Sequence, residues 1–268
     1  MMLSRQNNFG YEMVVGQQEF SPLTVSFTEP NVAGNGLIVV AYFQCQQPGM
    51  SPNLAISDSA GNSYQSIGGV GAHDGKTWSC LLQIWYVPAC KGGSNGMTVT
   101  QTAPTQGSGP GYIGGLIPLI VLAASVFEYS GGLGPLDVSA FAGGVGRSSA
   151  ALSLSATAAD DLLFGYAADF GLAAAVTVDS SSPGFVTEQT EATTSVWSVD
   201  GPVSLLAVAQ VADSAGLQSL TFDFAQTSQG LETALLAALP CALPVPPPAP
   251  PSPTAPVLGA GQSWPTIF

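Results

Sequence analysis

Short apolar runs recur along this chain, separated by clusters of Gly, Pro, Asn and Asp, a texture that predicts many short strands. The clearest are Leu23 to Thr28, Leu37 to Cys45, Trp78 to Val87, Met97 to Thr102, Leu119 to Tyr129 and Ala150 to Ala156. They continue with Leu162 to Ala167, Ser195 to Val199, Val203 to Val211, Leu217 to Phe224 and Thr233 to Leu239. In Leu37 to Cys45 both parities are largely apolar, which predicts a strand covered on two faces or lying at an interface. Ser219 to Ala225 alternates strictly, predicting Leu220, Phe222 and Phe224 inward and Ser219, Thr221 and Asp223 outward. Ala156 to Ala175 is alanine-rich enough to compete as a helix. Gly165, Gly171 and the Asp160-Asp161 turn signal favour strand.

Asp58-Ser-Ala-Gly61-Asn62 separates Leu54 to Ser57 from Tyr64 to Ile67 and reads as a hairpin turn, because Gly and Asn tolerate positive φ and Asp bonds the turn backbone. Lys91 to Gly96 takes the same part between two later strands, and Gln101 to Gly115 reads as a long Gly, Pro and Thr-rich loop. The segment 240–268 has a different character. It holds ten prolines and no charge, and it closes on Trp264, Ile267 and Phe268. In polyproline II form Pro244 to Pro256 spans ~40 Å, so the segment reads as an extended docking tail with Pro247, Pro250, Pro253, Trp264, Ile267 and Phe268 as its partner-binding residues. No Arg or Lys flanks the PxxP spacing, so a spacer is favoured over an SH3-type ligand.

Composition narrows the function classes. At 268 residues and 46% hydrophobic content the chain can bury a large core, while only 8% of residues are charged, too few for helices laced by ion pairs. The net charge is −13, and the ten carboxylates after Arg147 face no base later in the sequence, so nucleic acid and anionic lipid are disfavoured as partners. The first ten residues lack the basic region and apolar run of a secretory leader. The longest apolar run, Tyr112 to Phe127, is interrupted by Gly114, Gly115 and Pro118 and falls short of a membrane-spanning helix; it reads as a loop feeding a buried strand. Cys45, Cys80, Cys90 and Cys241 have no zinc-ligand spacing, and Cys80 and Cys90 lie toward opposite ends of one extended segment; buried free thiols are favoured, with a bridge from Cys45 left open.

Letter patterns for chemistry exist, but each has a simpler explanation. Gly92-x-Ser94-x-Gly96 spells a hydrolase elbow, yet Met97 to Thr100 continues as strand where the elbow needs a helix, and His73 is the only histidine. Gly109-Pro-Gly111-Tyr-Ile-Gly114 spells a dinucleotide fingerprint with no strand before it. His73-Asp74 with Lys76 reads as an exposed turn. Asp160 and Asp161, as neighbours on extended chain, would point apart and not share a glycosidase cleft. Asp58, Asn62, Asp160 and Asp161 offer oxygen ligands for calcium without the dense spacing that calcium loops use. Trp78, Trp85, Tyr86, Tyr129 and Trp197 all fall in predicted strands, where core packing explains an aromatic better than sugar stacking does. No catalytic residue, metal ligand or cofactor site is assigned.

The order of Gly36-Leu-Ile-Val-Val-Ala, Ile56-Ser-Asp-Ser-Ala-Gly-Asn-Ser-Tyr64, Ile84-Trp-Tyr-Val-Pro88, Gly92 to Thr100, Phe127-Glu-Tyr-Ser-Gly131 with Pro135-Leu-Asp137, and Asp160-Asp-Leu-Leu-Phe-Gly165 carries a resemblance. Over about Asn35 to Leu239 the chain resembles a jelly-roll-like β-sandwich module found in bacterial surface and secreted proteins and in phage structural proteins. The resemblance implies packing or adhesion and no catalytic centre. The expectation is therefore an all-β, antiparallel two-sheet β-sandwich with an arm at 1–22, a sandwich at 23–239 and an extended Pro-rich tail at 240–268. The expected function is a non-enzymatic structural protein of a larger assembly, a phage virion decoration or appendage protein binding identical copies or capsid and appendage proteins. The alternative is a carbohydrate-binding or adhesive module on a bacterial surface or secreted, with glycans as partners.

Overall fold

A computed structural model describes residues 4–14, 22–45, 53–76, 79–102, 120–170, 175–193, 203–224 and 230–241. Among these residues the chain is all-β and its strands pair antiparallel. The first eight strands are β1 (Ser4–Val14), β2 (Leu23–Ser26), β3 (Gly36–Cys45), β4 (Asn53–Asp58), β5 (Gln65–His73), β6 (Ser79–Val87), β7 (Gly96–Thr102) and β8 (Ile120–Tyr129). The next eight are β9 (Val138–Val145), β10 (Ser149–Ala156), β11 (Leu162–Phe170), β12 (Thr177–Val178), β13 (Val186–Thr193), β14 (Val203–Val211), β15 (Gly216–Asp223) and β16 (Leu231–Leu239).

These sixteen strands form four sheets, ordered β1-β8-β3-β6-β5, β2-β7-β4, β13-β14-β11-β16-β9 and β10-β15-β12. Adding eight to every label in the first two orders gives the last two, one of them read from its other end. Each half of the chain is therefore a sandwich of one five-stranded and one three-stranded sheet, and both halves follow the same path.

The sheets stack in four layers. Leu23, Val25, Leu54, Met97 and Val99 of one small sheet pack with Leu37, Val39, Phe43, Trp85 and Val126 of its five-stranded partner. Leu152, Leu154, Leu220 and Phe222 pack in the same way with Leu163, Leu206, Val208 and Leu236. The third and central core joins the two five-stranded sheets back to back, through Ile38, Tyr42, Leu82, Ile84 and Phe127 on one side and Phe164, Tyr166, Leu205, Leu235 and Leu239 on the other. This explains why β3, β11 and β16 are buried at every position. Alternate side chains of these strands enter two different cores, so both parities must be apolar. By contrast β10 alternates as expected of an outer strand with one wet face.

Glycine lets the two large sheets touch at one edge. A Cβ on Gly68 of β5 would stand 2.5 Å from Phe141 Cζ of β9, and one on Gly143 of β9 would stand 2.9 Å from Val70 Cγ2 and 3.0 Å from the Gly71 carbonyl. At the opposite edge Asn7 Nδ2 of β1 donates to the Glu188 carbonyl of β13 at 2.6 Å.

Most strands coincide with the expected ones to within a few residues, and the alternation of Leu220, Phe222 and Phe224 against Ser219, Thr221 and Asp223 is as read. Within the alanine-rich stretch, Leu162–Phe170 is strand β11. Asp58 to Asn62 does not turn a hairpin. β4 pairs with β7, β5 pairs with β6, and the turn carries the chain from the small sheet to the large one. Lys91 to Gly96 crosses back in the opposite sense, from β6 of the large sheet to β7 of the small one. The strand expected at 195–199 lies outside the described residues.

Candidate functional site

The main polar centre of the first half forms around Glu128, which the antiparallel ladder sets opposite Leu37 of β3 and Gln6 of β1. Its carboxylate is fully buried. Oε2 accepts from Arg5 Nη1 at 2.9 Å, Gln6 Nε2 at 2.5 Å and Asn31 Nδ2 at 3.0 Å, while Oε1 accepts from Val32 N at 2.8 Å and Asn35 Nδ2 at 2.7 Å. Burial pushes its pKa up, but the donors outweigh burial and hold it below the ordinary glutamate range. A carboxylate saturated in this way cannot serve as a base. It fastens β1 and the 28–35 connection onto the end of β8.

A second centre joins the two crossover turns of the same half. Asp58 accepts from Asn62 N at 2.9 Å, Asn62 Nδ2 at 2.6 Å, Tyr64 Oη at 2.7 Å and Asn95 Nδ2 at 3.0 Å. Lys91 Nζ donates to the Gly61 carbonyl at 2.7 Å, and Gly61 adopts φ +70°, the conformation that the turn requires there. Hydrogen bonds lower the Asp58 pKa against the upward push of burial. The corresponding turn of the second half is simpler: Asp179 Oδ1 accepts from Ser181 N at 2.7 Å.

The second half treats its buried acids differently. Asp169 of β11 stands directly opposite Glu232 of β16 and, on its other side, opposite Ser204 of β14. Both acids are buried, and among the described residues Asp169 Oδ2 and Glu232 Oε2 have no hydrogen-bond partner. Burial pushes Asp169 up to about 6 and Glu232 up to about 7, the latter raised further by the charge of Asp169. The Ser204 hydroxyl accepts from Val176 N at 3.0 Å.

Among the described residues the remaining sequence candidates are not gathered into one site. Ser94 is exposed in the crossover before β7, where Gly96 begins a strand and no helix follows, while His73 is exposed at the end of β5. Asp74 Oδ1 accepts from Lys76 N at 2.8 Å, closing a turn. Asp160 is exposed at φ +68° and Asp161 is buried, so the adjacent pair shares no cleft. Asp58 and Asn62 bond each other in one half and Asp160 and Asp161 sit in the other, so the four oxygen donors do not converge. Among the described residues no three His, Cys, Asp or Glu side chains group as metal ligands.

Trp85, Tyr86 and Tyr129 are buried, as their strand positions suggest. Among the described residues Cys80 and Cys90 form no disulfide, and burial pushes Cys80 up to about 12 and Cys90 up to about 11. Trp78, Trp197, the Gly109 to Gly114 stretch, and Pro247, Pro250, Pro253, Trp264, Ile267 and Phe268 lie outside the described residues. Sequence reasoning passed over Glu128 and the Asp169–Glu232 pair, because strand partners far apart in the chain create both. No protein-family model, no curated protein and no solved structure matches the chain.

Proposed function

We propose that this chain is a non-enzymatic structural component of a larger assembly, a decoration or appendage protein of a phage virion, that docks through its Pro-rich segment 240–268. The observation that carries the reading is the use of polar side chains in the body. Glu128, Asp58 and Asp179 accept backbone or amide donors that fasten loops, and the apolar faces of the large sheets are covered by each other. The uncharged segment with Trp264, Ile267 and Phe268 then stands as the part suited to an apolar partner. The strand path supports the same class: in each half the first, eighth, third and sixth strands are neighbours, as are the second, seventh and fourth. We read this as a jelly roll whose fifth strand rides on the first sheet, a scaffold common in capsid and lectin domains.

Glycan adhesion remains the competing reading, with a surface or secreted location. Its weakness is that Trp85, Tyr86 and Tyr129 are buried and offer no stacking platform. Deleting 242–268 separates the two: the body keeps its melting transition and the chain no longer incorporates into particles. Undiminished incorporation would sink the docking role, and saturable binding of a host polysaccharide by the truncated body would favour adhesion.

A further inference from the structure

The two halves agree in more than strand order. Gly34 N donates to the Cys90 carbonyl at 2.9 Å and Cys90 N donates to the Asn35 carbonyl at 2.7 Å; in the second half Asp160 N donates to the Ala212 carbonyl at 2.9 Å and Ala212 N to the Asp161 carbonyl at 2.8 Å. Gly34 and Asp160, which open these reciprocal pairs, both have positive φ. This alignment sets Leu37 against Leu163 as the chain enters β3 and β11. The ladders then carry the match outward, so that Val87 and Glu128, beside Leu37, correspond to Gln210 and Ala238, beside Leu163.

An independent segment gives a consistent alignment. Asp58 is followed six residues later by Tyr64, and Asp179 six residues later by Phe185; both aromatic rings pack on the core of their own sandwich. Continuing at the same spacing, the β5–β6 ladder bulges between Ser66 and Gly68, and the β13–β14 ladder bulges between Thr187 and Gln189. A bulge is a local departure that two unrelated sandwiches have no reason to place identically.

We infer that the chain is a tandem pair of one eight-stranded module, and that the outer face of the module's five-stranded sheet is a self-association surface whose partner is a second copy of the module. The packing between halves has the form of such an interface. β5 lies against β9 and β1 against β13, so exchanging the halves maps each contact onto the other, as in an isologous pair. The surface is a largely apolar face, with Ile38, Val40, Leu82, Ile84 and Phe127 on one half meeting residues such as Phe164, Ala207, Leu235 and Ala237 on the other. Left uncovered in water, a face of this size would aggregate or pair. One consequence concerns assembly: any larger structure must grow from the small sheets, the edges or the segment 240–268, because this face is already occupied.

The test begins with the whole chain carrying a protease site at the exposed Pro135, in the connection between β8 and β9. Isotope-labelled and unlabelled chains are cut, mixed, refolded together from urea and examined by native mass spectrometry. The expected result is folded, full-mass pairs in which labelled and unlabelled halves are mixed. A second variant, Ala207→Arg in the middle of the face, should split the cut chain into two folded halves that each keep a strand signal in circular dichroism. Halves that separate without the substitution would overturn the self-association surface. A cut chain that cannot refold, or halves that lose their strand signal once apart, would overturn the module.

Discussion

The two halves share a strand order and differ in how they handle buried charge. In the first half Glu128 takes five donors, including the Arg5 guanidinium, and at the corresponding place the second half has Ala238. In the second half Asp169 and Glu232 lie side by side, an oxygen of each without a partner among the described residues, and Asp169 corresponds to Phe43 in the first. The fold therefore requires neither group. One architecture tolerates a fully compensated carboxylate, an alanine or an acid pair that is only partly compensated, provided that the apolar parity of the central strands is kept.

The sharpest way to break the contrast is to give the first half the residue of the second. Glu128→Ala strands Arg5, Gln6, Asn31, Asn35 and the Val32 amide without their acceptor, and removing one partner from a buried charged network costs about 3–5 kcal/mol. Urea unfolding measures the loss, and hydrogen exchange should show β1 opening first. A cost under about 1 kcal/mol would mean that the network is incidental.

The strands were legible in the sequence because the four-layer stack leaves a local signature: apolar on both parities in Leu37 to Cys45, alternating in Ser219 to Phe224. The repeat was hidden, since Ala33-Gly34-Asn35-Gly36-Leu37 and Ala159-Asp160-Asp161-Leu162-Leu163 agree mainly in what their backbones must do. Only the shared spacing of Asp58 to Tyr64 and Asp179 to Phe185 hinted at it. Strands β1, β9 and β13 were missed for another reason. Asn7 and Asn8 in β1, Gly143 and Gly144 in β9 and the polar run of β13 belong to edge strands, where ladder pairing decides and hydrophobic pattern does not. The hairpin reading of Asp58 to Asn62 failed because turn chemistry is the same whether the following strand stays in the sheet or leaves it.

A second exchange probes the contact between the halves. The position of Gly68 in β5 corresponds to Gln189 in β13, so Gly68→Gln carries the second half's residue into the first. At φ +141° and with Phe141 Cζ 2.5 Å from the new Cβ, the side chain meets both backbone strain and overpacking, costing about 3 kcal/mol. Phe141→Ala should recover part of that loss. Equal unfolding midpoints for Gly68→Gln and the parent would show that β5 and β9 do not pack closely.

The halves should also respond oppositely to pH. An acid whose folded pKa is raised adds stability that is complete below its unfolded value and disappears as pH climbs through the folded one. For Asp169 and Glu232 this window runs from about 4 up to about 6 and about 7. Glu128 and Asp58, held low, contribute above their unfolded values and lose that contribution as pH falls through the folded ones. Between pH 4.5 and 8 the parent should lose roughly 2–5 kcal/mol, and the Asp169→Asn, Glu232→Gln double variant should show a flatter profile. Retention of the full slope in the double variant would assign it to other groups.

The smallest effect concerns what makes the pairing of the halves directional. Ser125 Oγ and Tyr166 Oη lie 3.1 Å apart across the central core, and both side chains are buried. Exchanging the halves turns Tyr166 into Val40 and Ser125 into Leu235, so the matching place is apolar and the hydrogen bond occurs once. One buried hydroxyl pair in a largely apolar face contributes only about 1 kcal/mol when formed. It costs more than that if either hydroxyl is buried against an apolar partner. Two first halves paired together would set Ser125 against Val40, and two second halves would set Tyr166 against Leu235. The hydrogen bond thus penalises both homotypic pairings and favours the native one. A double-mutant cycle of Ser125→Ala and Tyr166→Phe should give a coupling of about 1 kcal/mol in the intact chain, and in the cut and refolded chain the double variant should raise the share of homotypic halves. Zero coupling with an unchanged share would remove this hydroxyl pair as the source of direction.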